Sequence, residues 1–151
     1  MRLSRPTIIP TSTQFCKLSP RRLKGHEVVQ GKDYTKEVIG CAIEVHRNLG
    51  PGLLESIYEK ALFWELTQTG LRVEQQVPFH IQYKEQDLGE GYRLDLVVEG
   101  TLVIELKTVE KILPIHEAQV LSYLKSSGLK YGLLLNFNVP VLKDGIKRFI
   151  M

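Results

Sequence analysis

Cysteine is scarce in this chain of 151 residues, which contains only Cys16 and Cys41. Neither cysteine belongs to a C-x-x-C pair, so the sequence predicts neither a zinc site nor a disulfide framework. Such sparse cysteine usage is typical of proteins in a reducing compartment, and we expect a cytoplasmic location.

Long hydrophobic runs are also missing. The longest strongly apolar stretch without charge is YGLLLNFNVPVL at residues 131–142, which is shorter than the roughly 20 residues that span a bilayer as a helix. No apolar segment follows the first arginines, so a secretory signal is not predicted. We therefore expect no contact with a membrane.

Acidic residues are absent from residues 1–26, which carry six basic side chains and hence a charge of +6. Of the 20 basic residues, 14 remain to face all 17 acidic ones, so residues 27–151 carry −3. The basic pI of the chain therefore belongs to its first segment. Binding of nucleic acid by the rest of the chain would require a local basic patch.

Residues 1–30 are predicted to form a disordered basic extension, because prolines interrupt them and Ser and Thr are frequent. The extension is interpreted as a flexible tail or the product of an upstream start codon. Two alternatives are open. The extension has the basic, acid-poor composition of an organelle-targeting segment, or it is a basic arm that contacts phosphates. Residues 31–151 are predicted to form one domain.

Three segments, 33–49, 54–69 and 114–128, have the apolar spacing of amphipathic helices. Asp33 is a suitable N-cap for the first, and Pro114 occupies the favoured N1 position of the third. The spacing predicts which positions face the core: Val38, Ala42, Val45 and Leu49 in the first helix; Leu54, Ile57, Ala61 and Trp64 in the second; Ile115, Ala118, Leu121 and Leu124 in the third.

Strands are predicted between and after the helices. Residues 77–83 alternate as in a half-buried strand, and residues 84–91 are predicted to be a connecting turn. Two more strands surround Gly100, and residues 131–137 have the continuous apolar character of a strand covered on both faces. With a last strand within residues 143–150, the order is α-α-β-β-β-α-β plus a short β tail, which indicates the α/β class.

The two strands around Gly100 carry charge where burial is expected. If residues 99–101 form a three-residue loop with glycine in the left-handed region, Val98 faces Leu102 and Asp95 faces Glu105. Side chains directly opposite each other have Cβ atoms roughly 5 Å apart, so the two carboxylates would project together. A two-residue loop would place them on opposite faces. The same register places Arg93 opposite Lys107.

Two neighbouring carboxylates repel each other, and burial raises that cost. A hard divalent cation would compensate the charge, and Mg²⁺ accepts one or two carboxylates together with water and phosphate oxygens. Lys107 would then hold an attacking water or stabilise charge that develops on phosphorus. The alternative is a charged cluster at the sheet surface whose members satisfy one another.

The spacing of Asp95, Glu105 and Lys107 (D-x9-E-x-K) on two successive strands resembles the PD-(D/E)XK nuclease superfamily, although Leu94 stands where the motif has proline. GLLESIY at residues 52–58 resembles the pattern that names the GxxExxY family within it. The resemblance extends over about residues 33–150. It implies a restriction-endonuclease-like fold with an α-β-β-β-α-β core and a central mixed sheet flanked by helices.

The resemblance implies most of the residue roles, and the positions of Arg93, Lys111 and His46 in the sequence suggest the others. Catalytic roles fall to Asp95, Glu105, Lys107 and Gln119; metal ligation to Glu55, Asp95 and Glu105; substrate binding to Tyr123, Arg93 and Lys111; and support to Tyr58, His46 and His116. Tyr58 is expected to bond Glu55. Each has a simpler alternative: an acid at a helix N-terminus for Glu55, a half-buried aromatic for Tyr58, a polar helix face for Gln119 and Tyr123, and a packed structural histidine for His46.

The sequence and the resemblance together predict a nuclease that depends on Mg²⁺ or Mn²⁺ and acts on DNA rather than RNA. The alternative is a catalytically silent module that binds nucleic acid or protein on the same fold. A third possibility is a scaffold protein, in which the charged cluster is structural and the chain forms a homodimer.

Overall fold

The structure is a computed structural model that describes residues 31–151, so the predicted extension over residues 1–30 lies outside the described residues. The order of helices and strands predicted from the sequence is confirmed. The elements are α1 (Thr35–Leu49), α2 (Glu55–Gln68), β1 (Val73–Tyr83), β2 (Gln86–Val98), β3 (Leu102–Lys107), α3 (Pro114–Ser127), β4 (Tyr131–Asn136), a short 3₁₀ helix (Leu142–Gly145) and β5 (Ile146–Ile150).

The five strands form one mixed sheet in the order β1-β2-β3-β4-β5. Only β3 and β4 are parallel, and α3 is the connection between them. Side chains of α1 and α2 pack in one core cluster with one face of the sheet, and side chains of α3 pack in a second cluster with the other. The predicted α/β class and restriction-endonuclease-like arrangement are confirmed.

The predicted core face of α1 is correct for Val38, Ala42 and Val45, which are buried, but Leu49 is partly exposed. The predicted face of α2 is wrong for Leu54, Ile57 and Trp64, which are 74%, 40% and 59% exposed, and right for Ala61, which packs against the core. Apolar residues surround α2, and the stripe that packs on the sheet contains Tyr58, Leu62 and Leu66. Apolar spacing alone did not distinguish these two stripes.

The predicted face of α3 is also wrong for Ile115, Ala118 and Leu121, which are exposed, and right for Leu124. Helix α3 instead packs through Val120, Tyr123 and Leu124. A Cβ atom on Gly132 of β4 would lie 2.8 Å from Val120 and 3.1 Å from Leu124. The glycine therefore allows a close approach of α3 to the sheet, and this contact selects the face.

The predicted turn at residues 84–91 is shorter than expected. Tyr83 pairs with Gln86, so only Lys84 and Glu85 connect β1 to β2. Gly91, whose presence favoured a turn, lies within β2, where a Cβ atom would be 2.1 Å from Ile81. This glycine serves strand packing and not chain reversal. Within residues 31–151, no helix combines the length and hydrophobicity needed to cross a bilayer.

Gly145 is predicted to be intolerant of any side chain. Its Cβ atom would lie 2.2 Å from the backbone oxygen of Asn136, which cannot move without distorting β4. We expect Gly145→Ala to lower the free energy of unfolding by about 3 kcal/mol, the upper part of the range for overpacking. The control is Gly40→Ala in α1, where nothing lies within 4 Å and alanine should gain up to about 1 kcal/mol. Urea unfolding curves measure both, and equal stabilities would contradict the prediction.

Candidate active site

The register predicted for β2 and β3 is confirmed where the strands pair. Val98 faces Leu102 and Leu96 faces Ile104, as a three-residue loop requires. The regular pairing ends there. One residue further on, Asp95 Oδ2 accepts a hydrogen bond of 2.8 Å from the backbone N–H of Leu106. The Asp95 side chain therefore replaces a backbone acceptor at the end of the ladder and is fixed beside β3.

Arg93 lies opposite Pro78 of β1 and not, as predicted, in a ladder pair with Lys107. The reason is that β2 and β3 separate after Leu96. The Arg93 guanidinium forms an ion pair with Glu90, with a nitrogen–oxygen distance of 2.7 Å, and its side chain is half-exposed. The structure therefore does not bring Arg93 into contact with the cluster.

Glu105 and Lys107 form the centre of the cluster. The Nζ atom of Lys107 lies 2.6 Å from Oε1 of Glu105, and the two side chains are 15% and 4% exposed. The other carboxylate oxygen, Oε2, is buried and has no hydrogen-bond partner among residues 31–151. An unpartnered buried acceptor is costly, since its desolvation is not compensated. The site therefore contains an oxygen atom that lacks a positively charged or donor group.

Charge at this site is strongly disfavoured. Burial, followed by repulsion from Asp95, raises the pKa of Glu105 to about 7, although Lys107 opposes the shift. Burial likewise raises the pKa of Asp95, against the effects of the Leu106 N–H and Lys107. The single ammonium group of Lys107 does not balance the two carboxylates, so a further cation would be favoured there.

Helix α2 adds two carboxylates. Burial raises the pKa of Glu55, the first residue of α2, and the charge of Lys107 opposes this shift while that of Asp95 adds to it. Glu59 follows one turn later, and burial again raises its pKa. The sequence reasoning missed Glu59, although its spacing of four from Glu55 places both on one helix face.

Gln76 was also missed. Its Nε2 atom lies 2.9 and 2.8 Å from the two carboxylate oxygens of Glu59 and 3.5 Å from Asp95 Oδ1. No sequence signal marks this residue among the polar residues of β1. Only the pairing of β1 with β2 places it near the site.

Helix α3 presents Tyr123 and Gln119 to the site from the other face of the sheet. Tyr123 is 1% exposed and packs 4.1 Å from Tyr92, measured between ring centroids. Burial raises its pKa, the charge of Glu105 adds to the shift, and Gln119 opposes it. The negative charge of Glu105 is thus felt at the Tyr123 hydroxyl group. Direct contact with substrate, the predicted role of Tyr123, is not open to such a buried side chain.

The three predicted supporting residues have structural contacts elsewhere. The Tyr58 hydroxyl group donates to the Gly50 carbonyl and accepts from the Leu53 N–H, so its one proton is not available to Glu55 as predicted. Tyr58 therefore closes the turn between α1 and α2 and stacks on Phe137.

His46 Nε2 donates to the carbonyl oxygen of Val139 over 2.8 Å, which is the packed structural role weighed as its alternative. His116 Nδ1 accepts the Leu113 N–H over 3.1 Å and caps α3, so its predicted support of the site is not seen. Lys111 is exposed in the loop before α3.

The backbone that carries Lys107 is held by β4. The Lys107 carbonyl accepts the Phe137 N–H over 2.9 Å. The buried side chain of Asn136 bonds both the N–H and the carbonyl of Val109, over 3.1 and 2.8 Å. Asn136 was not predicted, although a lone amide in a strongly apolar run is a usable signal. It fixes the segment that leaves the site.

The donors at the site fit a hard divalent cation. Asp95 and Glu105 supply carboxylate oxygens, and Glu105 Oε2 is free to coordinate. Within residues 31–151, no group of three or more His, Cys, Asp or Glu side chains is arranged to hold a metal ion, so Glu55 does not complete such a group. Two carboxylates suffice for Mg²⁺, which takes its other ligands from water and phosphate.

Comparison with known proteins supports the same assignment. No curated protein and no solved structure matches the chain. The sequence model of the PD-(D/E)XK nuclease superfamily matches residues 32–149, which include every helix and strand except the last residue of β5, and all the carboxylates of the site. The chain belongs to the PD-(D/E)XK nuclease superfamily.

Proposed function

We propose that this protein is a metal-dependent nuclease of the GxxExxY type that hydrolyses phosphodiester bonds, with Mg²⁺ or Mn²⁺ as cofactor and DNA rather than RNA as substrate. Membership of the superfamily supports the reaction class. The GLLESIY segment supports the GxxExxY assignment. The preference for DNA follows from the sequence resemblance.

One observation carries the proposal: Glu105 is buried beside Asp95 with one carboxylate oxygen unpartnered, and Lys107 is its immediate neighbour. A structural charge cluster would satisfy its own members, since buried polar groups are normally hydrogen-bonded. This cluster leaves an oxygen free and is short of positive charge. Both properties favour binding of a cation.

Each residue then has a distinct role. Asp95 and Glu105 hold the divalent cation, and Glu55 adds negative charge from α2. A divalent cation held there would supply Lewis-acid chemistry to the phosphoryl group and to the attacking water. Lys107 holds the attacking water and stabilises negative charge that develops on the phosphoryl oxygens.

The remaining roles concern binding. Gln119 orients the water or the substrate from α3, while Tyr123 packs behind Glu105. Arg93 and Lys111 are exposed cations that can contact phosphates of the strand. The Arg93–Glu90 pair lies at the surface, where an ion pair contributes about 0–1 kcal/mol, so exchange of Glu90 for a phosphate costs little.

Calorimetric titration with Mn²⁺ tests the proposal without a known substrate. We expect binding by the parent protein and at least tenfold weaker binding by Asp95→Asn, because one carboxylate ligand is lost. The matched control is Asp144→Asn, which removes an exposed carboxylate in the 3₁₀ helix and should leave the affinity unchanged.

Cleavage of labelled single- and double-stranded DNA and RNA, with and without Mg²⁺, completes the test. Cleavage that survives Asp95→Asn would refute the assignment of the site. Tight binding of nucleic acid without metal or cleavage, unchanged by Glu105→Gln, would favour the silent binding module.

A further inference from the structure

Gln76 connects α2 to the candidate active site. Its side-chain nitrogen lies within hydrogen-bond distance of Glu59 on α2, at 2.9 and 2.8 Å, and 3.5 Å from Asp95 on β2. Ionised carboxylates only accept hydrogen bonds, so the amide must direct its two N–H groups towards them. One side chain therefore bridges carboxylates that belong to two different elements.

The backbone of Gln76 is unusual for a strand residue. Its φ angle is 50°, in the left-handed region that residues other than glycine rarely adopt. The register of β1 with β2 is continuous from Gln75↔Leu96 to Val77↔Leu94 but has no pair between Gln76 and Asp95. A strained conformation persists only where surrounding contacts hold it, and such residues concentrate at functional sites.

The bridge affects more than Glu59. Glu55 and Glu59 lie four residues apart on one face of α2, so a contact that ties Glu59 to β1 also ties the helix turn that carries Glu55 to the sheet. The same amide separates Glu59 from Asp95, whose negative charges would otherwise repel each other. Gln76 thus contacts the carboxylates of Glu59 and Asp95 and ties the turn of α2 that carries Glu55 to the sheet.

We propose that Gln76 is a positioning residue that keeps Asp95 in the position in which it binds a divalent cation and holds Glu59 of α2 beside it. The inference rests on the proposed function. Gln76 touches neither the substrate nor the reacting atoms in this role. It acts as the groups behind metal ligands do, whose replacement weakens metal binding 10- to 100-fold.

Gln76→Gly isolates the amide, because glycine adopts a φ angle of 50° without strain. The matched control is Lys84→Gly, which relieves a φ angle of 55° in the turn at the other end of the same strand. In calorimetric titrations with Mn²⁺ we expect about tenfold weaker binding by Gln76→Gly and parent affinity for Lys84→Gly. Equal affinities in the parent and Gln76→Gly would overturn the inference.

A second readout needs no metal. The side-chain carboxyl carbon of Asp95, observed by NMR at fixed pH, should shift in Gln76→Gly and in Glu59→Gln and stay in place in Lys84→Gly. If the parent binds no Mn²⁺, the proposed function fails, and this resonance still decides the role of Gln76. An Asp95 signal that Gln76→Gly leaves unchanged would refute the link.

Discussion

Replacing Lys107 with methionine is expected to slow phosphodiester hydrolysis about a thousandfold, within the range for loss of a group that stabilises transition-state charge or moves a proton. Methionine preserves the length and apolar part of the side chain and removes the ammonium group that lies 2.6 Å from Glu105. The rate constant should fall under saturating substrate and Mg²⁺, because Lys107 acts in the reaction more than in binding.

Lys36→Met is the matched control. Lys36 is exposed on α1, so this substitution makes the same chemical change away from the site. It should retain the parent rate. Thermal unfolding separates a catalytic loss from a folding defect. The expected residual rate of Lys107→Met is about one thousandth of the parent rate. If the folded variant cleaves at more than about one tenth of the parent rate, Lys107 does not have the proposed role.

Glu105→Gln is expected to abolish cleavage and, in metal-free protein at pH 8, to make the fold more stable. The parent must keep a buried carboxylate ionised at this pH, at a cost that burial and Asp95 impose. Glutamine has nearly the same shape and no charge to desolvate. Gains in stability that cost activity are common at active sites.

The pH dependence of this effect follows from the pKa of Glu105, which rises from 4.5 in the unfolded chain to about 7 in the fold. Between these values the folded state binds more protons than the unfolded state, so the stability of the parent falls as pH rises from about 4.5 to about 7. Below about pH 4.5 the contribution of Glu105 to stability is fully present. The shift corresponds to at most about 3 kcal/mol. The advantage of Glu105→Gln should therefore be largest above pH 7 and vanish near pH 4.

Differential scanning fluorimetry across pH 4–8 measures this difference, and about 2–4 °C in melting temperature is expected per kcal/mol. The control is Glu44→Gln, because Glu44 pairs with Arg47 at the surface. Addition of Mg²⁺ should stabilise the parent and not Glu105→Gln. A variant less stable than the parent at pH 8 without metal would contradict the assigned cost of the Glu105 charge.

The hairpin shows how far local reasoning extends. Glu99, Gly100 and Thr101 form the three-residue loop that the Gly residue indicated, and the side-chain period of two then placed Asp95 and Glu105 together. Short-range turn chemistry determines such a register. The predicted ladder continued to a pair of Arg93 with Lys107, but the observed pairing ends at Leu96 and Ile104. The reason is that the Leu106 N–H donates to the Asp95 side chain, a contact that turn chemistry does not predict.

The helix faces show its limit. Helix α2 is apolar on more than one side. Periodicity favours the stripe of Leu54, Ile57, Ala61 and Trp64, of which Ala61 alone packs against the core, whereas Tyr58 and Leu62 are fully buried. Which stripe packs depends on the opposing surface, such as the space at Gly132 for α3, and on partners such as those of the Tyr58 hydroxyl group. The periodicity of apolar residues carries no information on the opposing surface or on the hydrogen-bond partners.

The sequence by itself determined the α/β class, the order of elements and the placement of Asp95, Glu105 and Lys107 on two neighbouring strands, because these follow from periodicity, turn chemistry and spacing within short segments. Only the tertiary structure decided that Glu59 and Gln76 lie near Asp95, that Tyr123 is buried between α3 and the sheet, and that Tyr58 closes a turn. These contacts connect residues distant in the chain, so they depend on how the helices pack on the sheet and on where β2 and β3 separate.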